Sequence, residues 1–288
     1  MERPAGRRFT GPMTHTGQNI HLVIGGTGKT GRHVAGRLAA GGHAVRAVSR
    51  RSGIPFDWHA PGTWAPALDG VRAAYLTYAP DLADPAAAPA IRAFAGTAVR
   101  AGVRRLVLLS GRGEPECHPG EDAVRESGAE WTIVRCAWFM QNFDEDFLLG
   151  PVLDGALVLP AADVPEPFLD TRDIADVVVA ALTEDGHTGT TYELSGPRLL
   201  TFGEAAAEIA EATGRAVRYV PVTPERFREA AGGHLPQELV EIFTDLFTRI
   251  LDGRNAHLTD GVRKALGRAP RDFTDFVREA AGRGAWNV

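Results

Sequence analysis

Glycines at 25, 28 and 31, behind the apolar run His21-Leu-Val-Ile24, are the part of this chain best suited to hold a phosphate-bearing ligand. Such a turn bends tightly at its first glycine and lets backbone N–H groups approach a pyrophosphate at its second. The third brings the following helix close to the strand. Thr27, Lys29 and Thr30 complete the turn, and Lys29 adds a cation there. The next strand, Val45-Arg-Ala-Val48, ends in Ser49, Arg50 and Arg51. An Asp or Glu at this place would accept hydrogen bonds from both ribose hydroxyls of NAD, whereas guanidinium groups match a 2′-phosphate through charge-assisted, bidentate bonds. NADPH, or its oxidised form NADP, is therefore the expected ligand.

Delivering hydride to a simple carbonyl requires a proton donor, which many dehydrogenases supply with a Tyr and a Lys four residues later. Only Lys29 and Lys264 occur here, and neither follows a Tyr at that spacing. An iminium carbon already carries positive charge and leaves no alkoxide to protonate, so the protein's task shrinks to orientation and approximation. A cyclic iminium or imine is the leading expectation, with quinone or azo-compound reduction, or cofactor sensing without turnover, as alternatives. No general acid is assigned. His118, whose ordinary pKa lies near neutrality, is the nearest candidate.

These groups need a frame. Val34, Ala35, Leu38 and Ala39 recur at helical spacing after the glycine turn until Gly41 and Gly42 end the helix. Beyond the second strand, residues 54–58, 71–78, 105–110 and 131–135 read as strands, and 91–101 and 121–127 as helices. Almost continuous apolar strands alternating with helices predict an α/β fold, a Rossmann-like doubly wound parallel sheet. Ligands of such sheets bind beyond the carboxyl ends of the strands. Trp58, Thr77, Tyr78, Ala79, Ser110 and Gly111 should therefore join the glycine turn around the cofactor. Tyr78, Trp138, Phe139, Met140, Asn142, Phe143 and Phe168 should shape a substrate pocket for an aromatic or heterocyclic small molecule. Asp173 is expected to cap the helix that follows it. Further on, a helix over 202–213, a strand over 217–220, helix over 224–253 broken near Gly232 and Gly233, and a helix over 272–282 predict a small, mostly helical lid. The expected division is a disordered leader at 1–18 and a nucleotide core at 19–150 that 171–195 rejoins. Residues 151–170 and 196–288 form the substrate part.

Composition narrows the class. A 288-residue chain with a net charge of −5 and no basic stripe is not built for nucleic acid. No apolar run approaches the length of a membrane span. Cys117 and Cys136 are too few for a disulfide framework, and no Cys or His cluster has metal-ligand spacing. A soluble, cytoplasmic monomer or homodimer without a metal is expected.

Several segments carry a resemblance. They are Gly25-Gly-Thr-Gly-Lys-Thr30, Phe56-Asp-Trp58, Ala67-Leu-Asp-Gly-Val71, Val103-Arg-Arg-Leu-Val-Leu-Leu-Ser110, Glu130-Trp-Thr132, Trp138-Phe-Met-Gln-Asn-Phe143, Asp173-Ile-Ala175, Gly196-Pro-Arg-Leu-Leu-Thr201 and Gly267-Arg-Ala-Pro-Arg-Asp-Phe273. Together they resemble the NmrA-like atypical short-chain dehydrogenases, and among these most nearly the ergot-alkaloid dehydrogenases of the agroclavine and festuclavine type. The resemblance implies NADPH-dependent reduction of a cyclic iminium in secondary metabolism. Related aryl-propanoid ether reductases use a lysine before the position of Gly128, where this chain reads Glu116-Cys-His-Pro-Gly-Glu121.

Overall fold

The computed structural model describes residues 19–233 and 237–287; the predicted leader at 1–18 lies outside the described residues. The first half of the chain alternates strands and helices. They are β1 (Ile20–Ile24), α1 (Gly31–Ala40), β2 (Val45–Val48), α2 (Trp64–Leu68), β3 (Val71–Leu76), α3 (Ala87–Arg100), β4 (Arg105–Gly111), α4 (His118–Arg125) and β5 (Glu130–Cys136). Then come α5 (Asn142–Glu145), α6 (Leu149–Leu153), β6 (Ala156–Leu159), α7 (Thr171–Thr183), β7 (Thr190–Leu194), α8 (Phe202–Thr213) and β8 (Arg218–Pro221). The helices α9 (Pro224–Ala231), α10 (Gln237–Ile250), α11 (Gly261–Leu266) and α12 (Phe273–Gly282) complete the chain. The predicted helix over 224–253 is thus two helices, α9 ending just before Gly232.

Six strands form a parallel sheet in the order β2-β1-β3-β4-β5-β7, with Leu22 beside Ala74 and Val107 beside Thr132. The order reverses between β1 and β3, and a crevice opens beyond the carboxyl ends of strands at such a point. Side chains alternate across the sheet. Leu22, Ile24, Leu106 and Leu108 pack with Phe94 of α3 on one face, and Val23, Val107 and Val134 pack with Ile174, Val177 and Val178 of α7 on the other. The expected strand at 54–58 does not form. Pro55 has no N–H to offer a ladder, and the segment keeps a single bridge, Ser49 to Pro55. Phe56 and Trp58 turn inward instead and pack edge-on against Phe94. The sixth strand of the sheet is β7.

A separate core buries Phe143, Phe168, Phe202, Phe247, Phe273 and Phe276 together with Trp286, most of them from the segments predicted to form the lid. A two-stranded parallel sheet, β6 with β8, crosses it. The chain enters and leaves the lid beside the carboxyl edge of the main sheet, where Leu169 N donates to Trp138 O at 2.8 Å and Met140 N to Leu169 O at 2.9 Å. At the start of α7 the cap is Asp170, whose carboxylate accepts from Arg172 N at 2.8 Å. Asp173, expected to cap, lies in the first turn, fully buried and paired with Arg268 and Arg271. Among the described residues no helix is long and apolar enough to cross a membrane.

Candidate active site

The glycine turn is built as a cradle. Gly25 has φ 72°, and a Cβ there would lie 2.3 Å from Thr77 Oγ1. A Cβ on Gly26 would meet Ala47 Cβ at 2.6 Å, and one on Gly31 would meet Gly25 O at 2.1 Å. Gly28 meets only Gly25 O, at 3.2 Å. Three of these glycines are therefore required by packing, whereas Gly28 leaves the turn bare on its open side, where a phosphate must come close to backbone. The Thr30 side chain does not cap α1; Arg32 N and His33 N donate to Gly28 O and Thr30 O, so an anion at this helix start would be met by the N–H groups of the turn ahead of Arg32.

A cavity of about 620 Å³ runs from this turn past Ser49, Arg50, Asp57, Trp58, Thr77 and Ala79. Arg50 lines it and is exposed, and no described residue forms an ion pair with it; Arg51 is not among the walls. The turn that presents Arg50 is held by Ser52, whose hydroxyl accepts from Ser49 N at 2.9 Å and donates to Ile54 O. Asp57 was missed by sequence reasoning. It is a wall residue, and its carboxylate accepts from His59 N at 2.9 Å; an acid between two aromatic residues carries little signal of its own. Trp58 Nε1 donates to Thr77 O, and Thr77 Oγ1 donates to Ile24 O. These two predicted residues shape the cleft. Thr30 is turned away from it, its hydroxyl accepting from the buried Tyr75 hydroxyl at 2.9 Å.

A second cavity, of about 350 Å³, adjoins the first at Pro80. Tyr78, Trp138, Phe139 and Phe147 supply aromatic walls, with Leu246 and Ile250 of α10 on the lid side. Lys29 belongs here rather than to the cleft. Its Nζ donates to Asn142 Oδ1 at 2.8 Å, pairs with Asp146 and lies 5.8 Å from the centre of the Phe139 ring. Ser110 and Gly111 form the floor, but the Ser110 hydroxyl is committed to the buried Glu121 at 2.7 Å. Met140, Phe143 and Phe168 do not line this cavity. All three are buried in the lid core, the Phe143 and Phe168 rings 5.3 Å apart, because a chain turning back on itself after β5 must cover its own apolar side.

His118 is exposed at the start of α4 and is not among the walls of either cavity. The cavity instead brings together three carboxyl groups, those of Asp81, Glu114 and Glu166. Burial pushes Glu114 up to about 7, helped by Asp81 and opposed by Arg249. Burial likewise pushes Glu166 up to about 7 against the pull of Arg112. Both Glu166 oxygens, Tyr78 Oη and Trp138 Nε1 are buried with no hydrogen-bond partner. Buried polar groups left unpaired cost about 1–3 kcal/mol each, and such a concentration beside one cavity is the mark of a place where a ligand belongs. Arg112 is spoken for, its guanidinium donating to Asn255 O and His257 O. Asp81, Glu114 and Cys117 hold ligand-type atoms within 4.8 Å of one another, and burial pushes the Cys117 thiol up to about 12.

Comparison with known proteins agrees with this frame. A family model described as NAD(P)H-binding matches residues 25–185, and one described as the NmrA-like family matches 118–259. The chain belongs to the NmrA-like, NAD(P)H-binding oxidoreductases. It is 36% identical over 283 residues to a (4-alkanoyl-5-oxo-2,5-dihydrofuran-3-yl)methyl phosphate reductase of Streptomyces griseus, covering 90% of this chain and 97% of the relative. It is 32% identical over 273 residues to the uncharacterized oxidoreductase YesF of Bacillus subtilis, covering 90% and 94%. An agroclavine dehydrogenase of Claviceps fusiformis is also a relative, at 29% identity. The fold matches that of a Citrobacter triphenylmethane reductase crystallised with NADP(H), with a TM-score of 0.74 at 22% identity, over 91% of this chain and 99% of the other.

The residues present fit the dinucleotide such a family holds. Gly25 to Gly28 and the start of α1 would take the pyrophosphate, and Ser49 with Arg50 the adenosine ribose. The adjoining aromatic cavity would then face the reactive ring. Bound there, the nicotinamide supplies hydride; everything else in the reaction falls to the protein's own groups.

Proposed function

We propose that this NmrA-like protein is an NADPH-dependent reductase of flat, conjugated electrophiles, with cyclic iminium ions as its best-matched substrates. The observation that carries the reading is the composition of the smaller cavity: four aromatic walls, three carboxyl groups, and two cations that are both engaged by other partners. Ring faces favour a flat cation, carboxyl oxygens can accept from its N–H or lie against it, and hydride addition to an iminium asks no acid of the protein. The relative that acts on agroclavine points the same way. A phosphorylated substrate, such as that of the Streptomyces griseus relative, suits this cavity less well, because Lys29 is paired with Asp146 and both terminal nitrogens of Arg112 are bound to backbone carbonyls. Preference for NADPH rests on Arg50. The test is NADPH oxidation, followed spectrophotometrically, against a panel of cyclic iminium ions, quinones and conjugated enones. Iminium ions should give the highest kcat/KM, and absence of turnover across the whole panel would sink the proposal.

A further inference from the structure

Neutral electrophiles pose a problem that iminium ions do not. When a quinone or conjugated enone accepts hydride, the two electrons leave an oxyanion or enolate, and one proton must reach it to complete the reduced product. The described walls of the substrate cavity hold several protic groups, and most are unsuited to that step. The Ser110 hydroxyl is bound to Glu121. Arg112 is tied to two backbone carbonyls, and Lys29 is paired with Asp146. The thiols of Cys117 and Cys136 are both raised by burial, which holds their protons back. Tyr78 is raised as well, by burial and then by Asp84 and Asp57. Glu166 is only 1% exposed, with both oxygens sealed from water, so a proton given up could not readily be replaced.

Glu114 differs in position. It stands in the turn just after β4, and its carboxyl lies over Gly111 so closely that a Cβ on that residue would sit 2.0 Å from Oε1. The absence of a side chain at Gly111 is what lets this carboxyl reach the cavity floor beside Asp81. Its side chain is 14% exposed, which keeps a route to solvent. We propose that Glu114 donates the proton to neutral acceptors, extending the reductase from iminium ions to quinones and conjugated enones. This rests on the reductase reading above. The bound dinucleotide would supply the hydride, which ends in a new C–H bond on an enone or a new O–H bond on a quinone; the Glu114 O–H bond breaks to protonate the enolate or oxyanion that remains. The carboxylate then recovers a proton from water. Groups facing Glu114 are Asp81 from the loop after β3, Glu116 and Cys117 from its own turn, Arg249 of α10 at 3.8 Å, and Arg254, whose guanidinium donates to Gly113 O. Burial, with Asp81, keeps its acid form populated to about pH 7.

The test compares two substrate classes on wild type, Glu114→Gln and Glu166→Gln. With a quinone, wild-type kcat should fall as pH rises through about 7, and Glu114→Gln should lower kcat roughly 10²-fold and remove that limb. With an iminium ion the loss should be much smaller, so that the quinone-to-iminium ratio drops at least about tenfold. NADP affinity, measured by calorimetry, reports whether the variant keeps its fold. A ratio that does not change in Glu114→Gln, or the same limb removed by Glu166→Gln instead, would overturn the assignment. Turnover of neither class by wild type would defeat the reductase reading and this assignment with it, whereas quinone turnover unaffected by Glu114→Gln would defeat this assignment alone.

Discussion

At the scale of single residues, the cofactor preference comes down to one guanidinium. Arg50 and Arg51 are indistinguishable in sequence, yet only Arg50 lines the cleft, because the Ser49–Ser52 turn fixes which of the two faces it. A charge-assisted bond to a phosphate contributes about 1.5–3 kcal/mol. Arg50→Ala should therefore weaken NADPH roughly 10- to 100-fold while changing NADH little, and Arg51→Ala should change both only slightly. Fluorescence titration with each cofactor measures this, and equal losses for the two cofactors in Arg50→Ala would show that the arginine does not read the 2′-phosphate. The glycine roles were legible because backbone geometry constrains those positions directly. The fates of Lys29, Thr30 and Ser110 were not. Each has a polar group at the cofactor edge, and each is diverted by a partner distant in sequence: Asn142 and Asp146, Tyr75, and Glu121. Glu114 escaped notice for the opposite reason, since a glutamate between Gly113 and Pro115 reads as a solvated turn residue.

At the scale of elements, caps and ion pairs decide how the lid helices are seated. Asp272 caps α12 by accepting from Thr274 N at 2.8 Å and receives two bonds from Arg198, at 2.8 and 2.9 Å. The Arg198 guanidinium is the main cause that brings the Asp272 carboxyl down to about 2, from an ordinary 3.8. A carboxyl depressed in the folded state contributes stability that is fully present above its unfolded pKa and is lost as pH falls through the folded one. The window here is pH 3.8 to about 2. Asp272→Asn keeps a capping oxygen but loses the charge. It should cost about 1 kcal/mol at neutral pH, solvent screening included, and should lose less stability than wild type across that acid window. Urea melts at several pH values measure it, and parallel pH curves for the two proteins would rule the pair out as an acid-labile support. Strands β3, β4 and β5 were readable because apolar runs buried on both faces leave few other fates. The segment at 54–58 misled because its aromatic residues carry the look of a strand, while Pro55 and a Phe94 waiting across the core decide otherwise. Asp173 was mistaken for a cap because Asp170, three residues earlier, needs the course of the preceding loop to be recognised.

At the scale of the whole molecule, the question is whether the nucleotide half and the lid unfold together. The lid has a separate aromatic core, and a separate core permits separate melting. Opposing this, charged and backbone links cross between the halves at several places. Asp173 and Asp176 of α7 pair with Arg268 and Arg271 beyond α11. Arg112 donates to Asn255 O and His257 O, and Arg172 at the start of α7 pairs with Glu279 of α12. Asp173 is fully buried, so parting it from its arginines would leave an uncompensated buried charge, a cost of about 3–5 kcal/mol. That penalty opposes melting of one part while the other stays folded. Calorimetry should accordingly record one transition, and NADPH, although it touches the nucleotide half, should raise the whole of it. At 100 times its Kd the ligand adds about 2.7 kcal/mol, or several degrees in Tm. Two transitions of which NADPH moves only one would mean that the lid is an independent unit and that the Asp173 network does not bind the halves. Asp173→Asn should split the wild-type transition if the network is what holds them.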